Sequence, residues 1–274
     1  MGLILTIAFV FFIGSLSGWI LELFFRRFLS SSNPEKKWIN PGFLVGPYLP
    51  LYGFGLCIVF LLSSIDISFI SNQVIQKVVL FVAMAICMTA VEYIAGLIFI
   101  KRMKIVLWDY TDEWANLQGI ICPKYSLFWA VLSGVYYFFI HPCIYKSIVW
   151  LSNNLSFSFV IGFFYGISLI DLCYSIKIMA KIKSFAEEND IVVKYENLKR
   201  HIRKEAEERK EKAKFIFAFK SEIPLIDNLS KYMEKYISKK FFNEVLTGKD
   251  IIVNKIGEEK EKENDKREKT KKGR

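Results

Sequence analysis

The chain has 274 residues, of which 53% are hydrophobic and 16% aromatic, yet it carries a formal charge of +10. A disordered polyelectrolyte is excluded by the first figures and a uniformly mixed soluble surface by the charge distribution, because residues 177–274 hold 27 of the 37 Lys and Arg. An apolar body is followed by a basic tail.

Five apolar runs reach the roughly 20 residues that a helix needs to cross a bilayer. They are residues 3–25, 45–63, 78–100, 120–140 and 157–176. Core helices of a soluble protein would carry a charged face at these lengths, and these do not. The expectation is an all-α polytopic bundle of about five spans over residues 1–180, then a helical amphipathic tail over 181–257 and a disordered charged end over 258–274.

The first run lacks a basic segment before it and is too long for the core of a signal peptide, so it reads as a retained span. Arg26, Arg27, Lys36 and Lys37 follow it, and Lys101, Arg102 and Lys104 follow the third run. The other two loops offer only Lys77 and Lys146. The excess of cations predicts an outside N-terminus and a cytoplasmic tail.

Within the runs stand three acids, Glu22, Glu92 and Asp171. Each is costly at membrane depth and asks for a reason. By helical rise each lies toward the cytoplasmic side, on a face shared with small or polar residues: Gly14 and Gly18 with Glu22; Ala85, Thr89 and Gly96 with Glu92; Ser168 and Ser175 with Asp171. Three readings follow. The acids bond to neighbouring helices and pair with Arg26 and Arg102, or they form a site for a polar solute or ion, or they are simply solvated at the interface. The pairs Gly14/Gly18 and Gly162/Gly166 match a small-residue helix-packing pattern.

Two loops on that side carry irregular motifs. In NPGFLVGPYLPLYGFG, residues 40–55, Pro41, Pro47 and Pro50 remove backbone donors and Gly42 and Gly46 permit bends, so helix is not expected before Pro50. Asn40, Tyr48 and Tyr52 are its polar members. In WDYTDEWANLQGIICPKYSLFW, residues 108–129, Trp108, Asp109, Tyr110, Asn116 and Gly119 precede a helix start delayed to Pro123, and Trp108, Tyr110 and Trp114 suit the headgroup layer. Irregular backbone at membrane depth requires protein cover or water, so these motifs read as cytoplasmic entrances or shallow re-entrant segments.

GWILE (18–22), the 40–55 motif, EYIAG (92–96) and the 108–129 motif occur in this order, and over residues 10–145 the chain resembles the CmpB-like family of bacterial membrane proteins described as ABC-transporter permeases. The resemblance implies a multispan protein of the bacterial plasma membrane associated with transport. The basic tail lies outside it.

The sequence has no GxxxxGK[ST] loop, so no ATP cofactor is expected in this chain and ATP drive would come from a separate subunit. A carrier without that subunit would use Glu92 or Asp171 as a proton or cation site. The alternative is a lipid-handling protein or an interfacial enzyme, with Glu22, Asp109 and Asp112 within reach of headgroups. Neither HExxH nor GxSxG is present, and His141 and His201 fall on opposite sides of the membrane. The cysteines at 57, 87, 122, 143 and 173 lack metal-ligand spacing. The partners expected are the bilayer, an ATPase subunit and a second copy of the chain.

In the tail, residues 186–214 alternate Glu with Lys and Arg around sparse Leu198, Ile202 and Ala206, which predicts a solvated helix or weak coiled coil. FIFAF (215–219) and Pro224 interrupt it. Ile226, Leu229, Met233, Tyr236 and Ile237 then form an amphipathic stripe suited to anionic lipid or to docking on the body. Nucleic acid is a poor match for cations so diluted by acids.

Overall fold

The computed structural model describes residues 2–30, 33, 35–208, 219 and 223–235. The chain divides into Met1–Glu222 and Ile223–Arg274. In the second unit residues 225–235 are helical, with Asn228, Leu229 and Tyr232 buried. Residues 209–218 with most of FIFAF, the stripe positions Tyr236 and Ile237, and the run from 258 lie outside the described residues.

The first unit is an all-α membrane bundle. Four helices are long and apolar enough to cross a bilayer: α1 (Leu3–Phe28), α3 (Gln73–Met103), the continuous α4–α5 rod (Pro123–Asn153) and the helix of residues Leu155–Glu188, whose α-helical part is α6 (Ser158–Glu188). The fifth apolar segment, α2 (Pro50–Ser63), has 14 residues. At about 1.5 Å per residue it rises roughly 21 Å, short of the hydrocarbon core. The end carrying Arg26, Arg27, Lys101, Arg102 and Lys104 is called the basic end below.

Helix starts follow the proline rule. Pro50 and Pro123 each occupy the first turn of their helix, where a missing N–H costs nothing. Pro142 has a different effect. The sequence reading ends a span at residue 140, but the helix continues: five residues, Tyr136–Ile140, widen into a π-turn and α5 (His141–Asn153) carries on. A π-turn relieves the clash between a proline ring and the preceding turn. His141, one residue past the expected span end, sits inside the rod with Nδ1 2.9 Å from the Tyr136 hydroxyl.

The tightest packing joins α1 to α2. A Cβ on Gly18 would stand 2.2 Å from Tyr52, and one on Gly53 would stand 2.2 Å from Ser15 Oγ. Hydrogen at these positions is what lets the two backbones approach. Gly162 and Gly166 have nothing within 4 Å of such a Cβ, so among the described residues the second pattern packs against nothing. The deep core between α1, α2, α3 and α4 is lined by Val10, Val59, Met84, Met88, Trp129 and Tyr136. Outward, α6 presents Phe159 (76% exposed) and Ile170 (73%), a surface that requires an apolar solvent.

Beyond the bundle, α6 runs on to Glu188. Two short strands, β1 (Ile105–Val106) and β2 (Val193–Lys194), pair in parallel. Helix α7 (Tyr195–Glu208) follows. Against the expectation of a solvated helix, its Tyr195, Leu198, Ile202 and Ala206 are all buried.

Candidate functional site

Both irregular motifs lie at the basic end, and each is held by hydrogen bonds to its backbone groups. Residues 40–49 run along α1 as far as its middle, where the Leu49 amide donates to Ser15 O at 2.9 Å. Leu44, Tyr48 and Phe164 bury one another there beside Phe12 and Leu16 of α1. This is non-helical backbone at membrane depth, tolerated because protein covers it.

Side chains of α1, α6 and α7 pair with that stretch. Asp171 on α6 accepts the amides of Val45 (3.1 Å) and Gly46 (2.8 Å), the Tyr48 hydroxyl (2.6 Å) and the Ser175 hydroxyl (3.0 Å). The Asn40 side-chain amide donates to the carbonyls of Leu44 (3.2 Å) and Val45 (2.8 Å), and its oxygen accepts the Trp19 indole at 2.6 Å. Lys199 of α7 donates to the carbonyls of Asn40 and Gly42, both at 3.0 Å. Pro41, Pro47 and Pro50 have no amide hydrogen to satisfy, which is the physical use of three prolines in buried irregular backbone. Gly42 has φ +74, a left-handed conformation in which a side chain is strained.

The second motif is closed on itself. Tyr110 N donates to Gly119 O (2.9 Å), Leu117 N to Ile121 O (2.8 Å) and the Trp108 indole to Ile120 O (2.9 Å). The Asn116 side chain accepts from Gly119 N at 2.9 Å and donates to Thr111 O and Glu113 O at 3.0 Å. Asp109 takes the Thr111 amide and hydroxyl and pairs with Lys194 of β2. Gly119 has φ +67. Trp114, 83% exposed, has the exposure a headgroup position asks for, but Tyr110 turns inward. It stacks on Tyr125 (ring centroids 4.1 Å apart) and donates to Glu92 at 3.0 Å.

The three acids thus differ in their surroundings. Asp171 is saturated by four donors. Glu22 accepts from Arg26 (2.8 Å) and from the Tyr52 hydroxyl (2.8 Å). Arg102, the other cation expected to pair with an acid, is exposed. Glu92 is 3% exposed; one oxygen holds the Tyr110 hydroxyl, and the other is buried without a hydrogen bond. The Trp129 side chain neighbours it without closing that bond, and Glu22 lies within range of its charge. Glu92 falls in line with Met84, Met88 and Gly96, the buried face of α3. Ala85 and Thr89, expected on its face, instead line a side groove of about 470 Å³ with Ile86, Tyr93, Ile121 and Ser126.

A third element, which the sequence reading left apart from the site, completes it. Glu196 of α7 contacts Arg26 at 2.7 Å and Lys199 at 3.0 Å. Burial would raise the Glu196 carboxyl, but the two cations outweigh it and hold it below the ordinary value. Lys199 shares one carboxylate with Arg26, so burial and that repulsion lower its ammonium pKa. The signal available in the sequence was the one-face spacing of Tyr195, Leu198, Lys199, Ile202 and Ala206. Among the described residues no three His, Cys, Asp or Glu side chains are placed to hold a metal ion.

No curated protein and no solved structure matches the chain. A family model described as putative ABC-transporter type IV (CmpB) matches residues 9–176, which takes in most of α1, all of α2 to α5, the first part of α6 and both irregular motifs, and stops before α7. Its span, more than half of the chain, settles kinship on the bundle that holds the three acids: the chain belongs to this family of ABC-transporter-related membrane proteins.

Proposed function

We propose that the chain is the permease-like membrane component of a transport system in the bacterial plasma membrane, with the basic end in the cytoplasm and Glu92 at the centre of its polar site. The observation that carries this reading is the unpartnered Glu92 oxygen, buried in a membrane helix. Buried polar atoms are nearly always bonded, and an ionised carboxylate in hydrocarbon is costlier still. A proton or a small cation on that oxygen removes the deficit, and Glu22 beside it adds to the attraction for a positive charge. Asp171, saturated by the 40–48 segment and Ser175, serves in this reading as the clamp that holds the entrance rather than as part of the cargo site.

Energy from ATP would enter through a separate subunit seated at the basic end, since the sequence has no phosphate-binding loop. The test joins two measurements on the full chain. Purification from the native membrane in mild detergent should bring down a stoichiometric P-loop ATPase, and Glu92→Gln should insert normally yet fail to complement a deletion strain. A chain that purifies alone, together with full complementation by Glu92→Gln, overturns the proposal.

The side groove favours a second reading. Thr89, Tyr93 and Ser126 place hydroxyls along an otherwise apolar groove between α3 and α4, a shape suited to one lipid chain and its ester region. Under that reading the deletion strain has an altered lipid profile and no ATPase co-purifies. Anionic lipid at the tail cations and a second copy against the bare Gly162/Gly166 face are further partners consistent with either reading.

A further inference from the structure

We propose that residues 189–208 form a lid that closes the basic-end mouth of the bundle and undocks as one unit. Calling what lies beneath it a mouth rests on the proposed polar site.

The segment touches both irregular motifs at once. On one side β2 pairs with β1, Val193 N donates to Lys104 O at 3.0 Å, and Lys194 pairs with Asp109. On the other, Lys199 holds the carbonyls of Asn40 and Gly42, Arg203 donates to Trp38 O at 3.0 Å, and Lys37 meets Glu207 at 3.0 Å. Glu196 reaches between them to Arg26. A cover that merely rested on lipid would not put its bonds on the two places where the bundle's backbone is broken.

Two polar paths run from the lid to the acids. Glu196 contacts Arg26, Arg26 bonds Glu22, and Glu22 accepts from Tyr52. Lys194 pairs with Asp109, next in sequence to Tyr110, which donates to Glu92. Undocking therefore uncovers Arg26 and frees the loop that carries the Glu92 partner.

The hold is of a kind that releases. It comprises a two-residue strand pair, ion pairs, and one face of α7, whereas the bundle helices interlock along their length. Local units docked at one end of a bundle open at lower free energy than its core, even where, as here, one apolar face is buried. A pivot is present after α6: Asp190 has φ 49, and Ile191 N donates back to Ala186 O at 2.9 Å. The family match ends at residue 176, before the lid begins.

Hydrogen exchange on the full chain in lipid nanodiscs tests this. In the wild type, amides of 193–208 should exchange together and at least about tenfold faster than those of α1 and α3. Glu196→Gln should accelerate 193–208 at least about tenfold further, the factor expected for one lost charge-assisted bond, with α1 and α3 unchanged. Equal protection of 193–208 and α3 in the wild type overturns the lid, and so does uniform acceleration of all helices. Should Glu196→Gln not fold, Arg203→Gln, which removes the rim bond to Trp38 and the ion pair with Glu207, must still give acceleration confined to 193–208, and its absence overturns the lid too. Glu92→Gln should leave the exchange pattern unchanged, so failure of the lid and failure of the polar-site reading show up in different measurements.

Discussion

Tyr48 donates its hydroxyl to Asp171 at 2.6 Å, across 123 residues of sequence. The same carboxylate holds the amides of Val45 and Gly46, so one side chain on α6 supplies the acceptors that a helix would have supplied to this part of the chain. The costly acid and the broken backbone explain each other.

Asp171→Ala should therefore act on stability before anything else. It leaves two amides and two hydroxyls without their acceptor inside the bundle, a loss of about 3 kcal/mol or more. A fall in thermal unfolding temperature in detergent, shared by function and folding alike, is the expected result. An unchanged melting curve would assign Asp171 to the site instead of the scaffold.

Glu92→Gln should behave in the opposite way. Its one bond, from Tyr110, can be kept by the amide oxygen, so stability should change by no more than about 1 kcal/mol. Complementation of a deletion strain should be lost. Tyr110→Phe should weaken function less, because it removes the partner and leaves the carboxylate.

Two glycine pairs of like spacing should respond differently to alanine. Gly18→Ala drives a methyl into Tyr52 and should destabilise by about 1–3 kcal/mol, the usual cost of overpacking. Gly166→Ala meets open space among the described residues and should leave the folded stability unchanged or slightly raised. If Gly166→Ala also alters the mass of the purified particle, that face contacts a second copy.

Acid should weaken the docked tail in a defined window. Burial raises the Asp109 carboxyl, but the Lys194 bond and the Thr111 donors outweigh it, so its folded pKa lies below the ordinary value. Glu196 is lowered too, by Arg26 and Lys199 against burial. A lowered carboxyl stabilises the fold above its unfolded pKa and loses that contribution as pH falls through the folded value. Stability should thus be steady above about pH 5 and decline below about pH 4. Asp109→Asn should make that decline shallower in a series of melting curves, and an identical slope would remove Asp109 from the account.

The membrane runs, the helix starts at Pro50 and Pro123 and the three acids were legible because each depends on local rules. Hydropathy needs only a window of residues, and a proline declares its missing donor wherever it stands. The reading failed where the answer is held at a distance. The fourth span ends at residue 140 in the sequence reading because a π-turn that absorbs Pro142 has no sequence sign of its own. Tail residues 195–208 looked solvated because their charges outnumber their apolar residues, and nothing local says that Lys199 will be buried on two carbonyls.

The sequence by itself therefore determined that this protein is a helical membrane bundle with two broken helix entrances and acids at membrane depth, since solvent transfer and backbone chemistry act within a few residues. Only the tertiary structure decided which acid is saturated, which is paired and which keeps an open oxygen. Those outcomes turn on donors brought from 125 residues away, as between Gly46 and Asp171, and no local pattern encodes such a meeting.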